Sequence, residues 1–342
     1  MTSRFFHNPK GPTQDAFSPS AIRWSAQSSV MCEVFQKHLP DIVSLKFSEI
    51  KDHGVPKFLL FEDQARRKWF GKLTLEPVQD LAMVEYRVHE RLTDLGAPVP
   101  NTLRAKLIDF PMANRGSAQK IFLSVSEFID GSFIRNCIAD AKLVGSSLAE
   151  LHGKLREIED TDLRLMSESF NRTLLENLSR KEYNYYPSVF DPIITELDRF
   201  KESDFELFFE DQQIIHGDLN LGNVIIKNEC VYFIDFEDTA KAYLNPLIDI
   251  AFLTERAFLN SNTPTKEIIF EFLRHYKDSS HLNLDFSRIP KILELISIRS
   301  LLIICLNYEK YHILPNRSEI EKFLCNCNQA RNIGSFLKLW SV

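Results

Sequence analysis

Long apolar runs, glycine and excess positive charge are all scarce in this 342-residue sequence, which has 11 glycines and a net charge of −6. The longest apolar run, residues 296–306, is interrupted by Arg299 and is too short to span a bilayer. The N-terminal residues contain no apolar run of the kind found in a signal peptide. We therefore expect no membrane segment.

Two other scarce features exclude further classes of protein. A pI near 5.9 argues against nucleic-acid binding, which requires a basic surface to displace counterions. The six cysteines are scattered, and apart from the isolated pair Cys325 and Cys327 they lack the spacing of metal ligands. Reduced thiols in a cytoplasmic protein are the simplest interpretation.

The apolar fraction of 44% and the length together predict a folded chain of two packed lobes. We expect an N-terminal lead-in and helix at 1–40, a small lobe at 41–128 and a larger lobe at 129–342. Hydrophobic patterning predicts a helix from about Asp80 to Gly96, preceded by a helix at 26–38. Strands are predicted at 42–50, 56–61, 68–75, 103–109 and 121–129. After Ala139 the pattern becomes mainly helical, so the fold class is α+β.

One polar loop interrupts this helical region and leads into a predicted β-hairpin. Ile214 and Ile215 precede the loop 216–223, a strand at 224–226 follows it, and a turn at Asn228 returns the chain as an antiparallel partner. Counting from the turn places Asn223 opposite Ile234. Asn223 and Asp235 should therefore lie at the same end of the hairpin, with Asp218 on the adjoining loop.

These three side chains suit phosphoryl transfer. Magnesium takes hard oxygen ligands, few of them from the protein, and Asn223 with Asp235 would supply them. The reaction also needs a carboxylate that orients the attacking hydroxyl and accepts its proton, which is the role we assign to Asp218.

The stretch 216–223, His-Gly-Asp-Leu-Asn-Leu-Gly-Asn, and the later Ile-Asp-Phe at 234–236 resemble the catalytic and metal-binding motifs of the aminoglycoside phosphotransferase and choline kinase family. The resemblance extends over residues 40 to about 260. It implies a two-lobed, protein-kinase-like fold, in which a small N-terminal antiparallel sheet with one helix precedes a larger helical C-terminal lobe carrying an embedded catalytic hairpin. It also implies ATP and magnesium as cofactors.

The family carries a lysine on its third strand that holds the nucleotide phosphates, and Lys72 occupies that place, with Lys68 as the alternative. A glutamate from the first long helix should pair with this lysine. Glu85 lies near the apolar face of that helix, which favours it over Glu90. Close approach of the backbone to phosphate usually favours glycine, but the loop expected to cover the phosphates has Gly54 as its one glycine.

Further positions follow from the same resemblance. The segment 126–131 resembles the hinge, where main-chain groups of Glu127 and Ile129 would bind the adenine. Asp249 matches an aspartate that braces the catalytic loop, although Leu244-Asn245 replaces the usual Gly-Asp before it. We interpret His216 as structural support and His152 as a packed core histidine.

Only thirteen residues separate Asp235 from Asp249, which is short for the activation segment of a protein kinase. The expected function is therefore ATP-dependent transfer of phosphate to a hydroxyl of a small molecule, of the aminoglycoside, amino alcohol or sugar type. Acidic clusters at 157–160 and 206–211 could attract a cationic acceptor or simply face solvent, and aromatic residues at 183–186 could stack on a ligand or pack in the core. A catalytically silent relative and a protein kinase are the alternatives.

Overall fold

The computed structural model describes residues 24–25, 33, 35, 37–39, 41–48, 50–51, 55–75, 79–111, 118–180, 186–259, 266–312 and 314–337. Contacts divide the chain into two units. The sheet unit contains the described residues of Gln14–Ile134 and Gly222–Glu237, and the helical unit those of Arg135–Leu221 and Asp238–Val342. No helix in these described ranges is long and apolar enough to cross a membrane.

The sheet unit is built on a six-stranded antiparallel sheet, in the order β1-β2-β5-β6-β8-β7. In chain order its strands, with the short pair β3 and β4, are β1 (Trp24–Ser25), β2 (Ile42–Ser48), β3 (Ile50–Lys51), β4 (Val55–Pro56), β5 (Phe58–Asp63), β6 (Lys68–Leu75), β7 (Thr102–Pro111) and β8 (Ala118–Glu127). The predicted strand at 68–75 coincides with β6, and the ends of the other predicted strands differ from the observed ends by at most three residues. Of the predicted helix at 26–38, the structure describes residues 33, 35, 37 and 38, which are helical.

Side-chain alternation along β6 decides which residues face the core. Trp69, Gly71 and Leu73 are buried, and the residues between them are less so. Because successive side chains of a strand point to opposite faces, Lys72 lies on the face away from this core. The core itself is formed by Phe35, Leu39, Leu45, Leu59, Phe61, Trp69, Leu73, Ile108, Ile121, Leu123 and Val125.

Helix α1 (Gln79–Asp94) packs on the sheet unit through residues spaced four apart. Val84, Val88 and Leu92 are each at most 3% exposed. The helix ends before Gly96, whose φ of +68° is a left-handed conformation that glycine adopts without a Cβ penalty. The N–H of Ala97 then donates to the carbonyl of Leu92, which satisfies one of the last carbonyls of the helix.

A three-stranded sheet in the order β12-β11-β9 completes the sheet unit. Its strands are β9 (Ser132–Phe133), β11 (Val224–Lys227) and β12 (Cys230–Phe233). Asn228 and Glu229 both have positive φ, of 50° and 65°, as a two-residue hairpin turn requires.

The helical unit contains seven α-helices in the described residues. They are α2 (Ile138–Arg156), α3 (Thr161–Arg180), α4 (Asp191–Leu197), α5 (Leu247–Leu253), α6 (Lys266–Ser279), α7 (Ile289–Tyr311) and α8 (Arg317–Leu337). A π-helical segment, Thr254–Leu259, continues directly from α5. Helix α2 packs on α6, and α7 packs on both α5 and α8.

A short ladder in the helical unit holds the polar loop that follows residue 215. Strand β10 (Gln213–Ile214) pairs antiparallel with β13 (Tyr243–Leu244), and the N–H of Ile215 extends the ladder by donating to the carbonyl of Ala242. The loop therefore starts from a fixed backbone position.

Candidate active site

Lys72 is the centre of an ionic cluster in the sheet unit. Its Nζ lies 3.0 Å from both carboxylate oxygens of Glu85, 2.7 Å from Oδ1 of Asp235 and 3.0 Å from Oε2 of Glu237. Lys72 and Glu85 therefore form an ion pair. The alternative lysine, Lys68, instead lies 3.7 Å from Asp130 at the surface.

The Lys72 cluster carries more negative than positive charge. Three carboxylates face one ammonium group, which leaves two formal negative charges in excess. Burial acts to lower the pKa of Lys72, but Asp235, Glu85 and Glu237 overcome it and hold this pKa well above its ordinary value. Burial raises the pKa of Glu85 to about 7, and Asp235 and Glu237 raise it against the opposing effect of Lys72. The cluster is therefore suited to a further cation.

The hairpin brings Asn223 and Asp235 to one end, as its predicted register requires. Val224 is opposite Phe233, and the N–H of Ile234 donates to the carbonyl of Asn223 over 3.0 Å. Asp235 has a φ of 64°, which aspartate tolerates better than most residues.

The donor set at this end of the hairpin fits magnesium. One carboxylate and one amide oxygen are the few protein ligands that a magnesium ion bound to nucleotide phosphates requires, and the excess negative charge of the Lys72 cluster lies beside Asp235. Within the described ranges, no group of three or more His, Cys, Asp and Glu side chains is arranged as a metal site. A complete protein cage for a metal is thus absent from the part of the chain that is described.

Phe236 ties the end of the hairpin to helix α1. Its ring stacks on His89, with 5.9 Å between ring centroids, and His89 contacts the carbonyl of Pro100 through Nε2 over 2.8 Å. Burial lowers the pKa of His89 to about 4. A neutral His89 therefore holds the segment beside Asp235 against the helix that carries Glu85.

The predicted hinge residues lie at the end of β8. The N–H of Glu127 already donates to the carbonyl of Asn101 over 2.8 Å, and the Glu127 side chain accepts from Nδ2 of Asn101 over 2.9 Å. Any main-chain contact of Glu127 with an adenine would therefore use its carbonyl. Ile129 is 4% exposed, so its side chain belongs to the packing of the unit.

In the helical unit, Asp249 braces the loop that carries the His-Gly-Asp sequence. Its carboxylate accepts from the N–H groups of His216 and Gly217, over 2.8 and 2.9 Å. His152 contacts the same carboxylate through Nε2 at 3.2 Å and Tyr276 through Nδ1 at 2.7 Å, so this buried histidine supports Asp249 besides packing. His216 and Asp249 are fully buried, as expected of structural support.

Gly217 is required by the loop for two reasons. Its φ is +84°, and a Cβ at this position would come within 2.7 Å of the Cβ of Ala242. The close turn at Gly217 sets where the next residue, Asp218, begins.

Arg256 contacts the carboxylate of Asp218. Its Nη1 lies 2.5 Å from Oδ1 of Asp218, and Nδ2 of Asn220 lies 3.2 Å from Oδ2. The guanidinium group also covers the ring of Phe252, at 4.2 Å from its centroid. Both oxygens of Asp218 are thus oriented by neighbouring side chains.

Sequence reasoning missed Glu237 and Arg256. Glu237 comes two residues after Asp235, and Arg256 comes seven residues after Asp249, about two helical turns later. That spacing is not a usable signal, because Arg256 lies in the π-helical segment Thr254–Leu259 and its contact is with Asp218, 38 residues earlier. Most acidic residues of the clusters 157–160 and 206–211 are exposed. Tyr186, from the aromatic segment 183–186, packs on Phe190. Residues 52–54, which include Gly54, and residues 183–185 lie outside the described residues.

A family profile described as the phosphotransferase enzyme family, APH, matches residues 56–277, well over half of the chain. Comparison with curated proteins gives no match.

Several solved structures have the same fold. The chain is similar to amicoumacin kinase hAmiN in complex with AMP-PNP, Ca²⁺ and Ami, at 15% identity and a TM-score of 0.60 over 87% of this chain and 93% of that one. It is similar to an aminoglycoside phosphotransferase from Alicyclobacillus acidocaldarius, at 13% identity and a TM-score of 0.53 over 95% of this chain and 98% of that one. It is also similar to a choline/ethanolamine kinase family protein from Mesorhizobium loti, at 14% identity and a TM-score of 0.51 over 84% of this chain and 90% of that one. The expected α+β fold of the aminoglycoside phosphotransferase and choline kinase group is confirmed.

Proposed function

Because this chain belongs to the phosphotransferase enzyme family, we propose that it transfers the γ-phosphate of ATP, in the presence of magnesium, to a hydroxyl group of a small molecule. The aminoglycoside, amino alcohol and sugar types are the acceptors expected from the sequence. The observation that carries this proposal is the Lys72 cluster, in which one lysine faces Glu85, Asp235 and Glu237.

The nucleotide and the metal account for the composition of that cluster. Lys72 would bind the phosphates of ATP while Glu85 holds its ammonium group in place. Asn223 and Asp235 would hold the magnesium, which when bound neutralises charge that develops on the phosphates. The carbonyl of Glu127 and the main chain of Ile129 would bind the adenine edge. Support for ATP also comes from the similar fold of the amicoumacin kinase solved with AMP-PNP and Ca²⁺.

Asp218 would act as the catalytic base. It would accept a hydrogen bond from the attacking hydroxyl, orient it, and take its proton as the bond to phosphorus forms. Arg256 and Asn220 support this role, since they hold the carboxylate in one orientation. Asp249 supports it indirectly by binding the two N–H groups that precede Asp218.

The test combines nucleotide binding with transfer. AMP-PNP with Mg²⁺ should raise the melting temperature of the wild type, of Asp218→Asn and of the surface control Asp278→Asn, since a ligand of the folded state stabilises it. Radiolabelled phosphate should pass from ATP to a pool of hydroxylated amines, sugars, aminoglycosides and hydroxy acids with the wild type and the control. Turnover should fall at least about 100-fold in Asp218→Asn.

Each alternative predicts a different result. Undiminished turnover in Asp218→Asn would overturn the role assigned to that residue. Tight nucleotide binding with no transfer to any acceptor would indicate a catalytically silent relative. Labelling of proteins from a lysate, without labelling of the small-molecule pool, would indicate a protein kinase.

A further inference from the structure

Arg299 places a cation inside the apolar run of helix α7. In the described part of the chain, its Nε is buried and has no hydrogen-bond partner. Its guanidinium group lies over the ring of Phe170, at 5.4 Å from the centroid. Arginine stays protonated in proteins, so this is a charge whose desolvation has to be compensated by a partner.

The charged neighbours of Arg299 do not supply that partner. Among the described residues, Asp238 is the acidic group whose charge acts on Arg299. The carboxylate of Asp238 is engaged by Nζ of Lys241 over 2.9 Å, and that lysine lies over the same Phe170 ring, 5.6 Å from its centroid. Two cations therefore lie over one aromatic ring, and the carboxylate whose charge acts on Arg299 is paired with the other cation.

A small cavity adjoins Arg299 in the helical unit. Gly217, Asp238 and Arg299 contribute its polar lining, and apolar side chains such as Phe208, Ile248 and Phe252 form the rest. Its volume of about 20 Å³ holds one or two water-sized atoms and is far too small for a sugar ring. The cavity thus suits a small terminal group with hydrogen-bond acceptors.

We propose that this cavity binds a carboxylate group of the phosphate acceptor through Arg299, so that the acceptor is a hydroxy acid. The assignment rests on the proposed transfer to a small-molecule hydroxyl, and it replaces the acceptor types expected from the sequence with compounds that carry both a hydroxyl and a carboxylate. Gly217 lines the cavity, and the next residue in the chain is Asp218, the proposed base. A carboxylate in the cavity would therefore lie against the residue that precedes this base. A planar guanidinium group matches a carboxylate with paired, charge-assisted hydrogen bonds.

Cationic acceptors are disfavoured by the same contacts. Arg256 engages Asp218 and Lys241 engages Asp238, so arginine and lysine already lie against these two carboxylates. The acidic clusters 157–160 and 206–211 do not favour a cationic acceptor either. Most of their charged residues are exposed, and Glu210 is paired with Arg288.

The site can be tested without any turnover. With AMP-PNP and Mg²⁺ present to fill the nucleotide site, ¹³C-formate should show saturable line broadening with the full-length wild type, and neutral ¹³C-formamide should not. Arg299→Met should weaken formate binding about 10- to 100-fold, as expected for the loss of a charge-assisted hydrogen bond. Arg299→Lys should retain part of the binding. The matched control Arg317→Met, whose arginine is 86% exposed, should bind formate as the wild type does. Equal binding of formate and formamide, or unchanged formate binding in Arg299→Met, would overturn the site.

A second measurement tests whether the carboxylate bound at Arg299 is part of the phosphate acceptor. Hydroxy acids should be phosphorylated with a KM about 10- to 100-fold lower than their amides, with glycerate compared with glyceramide and gluconate with gluconamide. Arg299→Met should raise the KM for the acids and leave that for the amides unchanged. Formate binding combined with equal use of acids and amides would assign the cavity to a free anion and overturn the hydroxy-acid acceptor. The proposed function would survive that result, because it fails separately, through the absence of magnesium-dependent nucleotide binding and transfer.

Discussion

Nζ of Lys72 lies 2.7 Å from Oδ1 of Asp235, although the two residues are 163 positions apart in the chain. Lys72 comes from strand β6 and Asp235 from the end of the β11–β12 hairpin. Since Lys72 also bonds Glu85 on α1, one ammonium group joins three elements of the sheet unit. Substitutions in this cluster should therefore affect both stability and nucleotide binding.

Lys72→Met should abolish measurable transfer and destabilise the folded state by about 1–3 kcal/mol, because carboxylates would remain without their cation. Lys68→Met, four residues earlier on the same strand, is the matched control, and its lysine is 51% exposed. Urea unfolding and AMP-PNP titration report the two effects. Equal losses in both variants would mean that Lys72 has no special place in nucleotide binding.

The stability of the nucleotide-free protein should depend on pH through Glu85. Its pKa rises from 4.5 to about 7 in the folded state, so folding favours the protonated form. This contribution, on the order of 3 kcal/mol, is present at low pH and is lost as the pH rises through about 7.

Urea unfolding between about pH 5 and pH 8 would measure this dependence. The difference in free energy of unfolding between the wild type and Glu85→Gln, which cannot ionise, should fall as the pH rises. His89, whose pKa is lowered to about 4, contributes a rise over part of this range in both proteins and cancels in the difference. Glu90→Gln, on the exposed side of the same helix, should keep the wild-type slope. A wild-type slope in Glu85→Gln would show that another group titrates.

Asp235→Asn should raise the Mg²⁺ concentration needed for half-maximal AMP-PNP binding by about 10-fold or more, because an ionised ligand is replaced by a neutral one. Glu237→Gln, which removes another carboxylate from Lys72, should have a smaller effect on this concentration. Calorimetric titration at several Mg²⁺ concentrations distinguishes them. The assignment of Asp235 as the metal ligand fails if Glu237→Gln has the larger effect.

Arg256→Met should lower kcat about 10- to 100-fold and leave the KM for ATP within a few-fold, because Arg256 orients Asp218 and has no expected contact with nucleotide. Arg256→Lys should recover part of kcat, since it keeps the charge. Arg288→Met, at an arginine that is partly exposed and paired with Glu210, is the control. Loss of ATP affinity with unchanged kcat would contradict a positioning role.

Asp249→Asn should destabilise the protein by about 2–4 kcal/mol. The buried carboxylate accepts two main-chain N–H groups, and an amide would present its own N–H group to one of these donors. Asp278→Asn, at a carboxylate that is 59% exposed, should change the stability by less than about 0.5 kcal/mol. Thermal and urea unfolding measure both variants, and a stability loss as small as that of the control would rule out the bracing role.

Much of the Lys72 cluster was predictable because the relevant patterns are local. The turn at Asn228 and the apolar residues on either side set the hairpin register, which placed Asn223 beside Ile234 and hence near Asp235. The spacing of Val84, Val88 and Leu92 placed Glu85 at the inward edge of α1. The expected hairpin end followed from these local patterns, whereas the pairing of Lys72 with a helix glutamate was implied by the family resemblance, and helix spacing selected Glu85.

Other relationships depend on packing between distant segments. No short-range period brings Arg256 to Asp218, 38 residues earlier, or places Arg299 beside Asp238 and Gly217. In the sequence, Arg299 is an interruption in an apolar helix. The structure places it in the lining of the small cavity next to the loop, which is what suggests a binding role.

Local periodicity thus determined the strands, the helix α1, the hairpin and the chemistry of its end. Tertiary structure decided which cations lie against Asp218 and Asp238, because side-chain charges meet only where packed helices and loops bring their ends together.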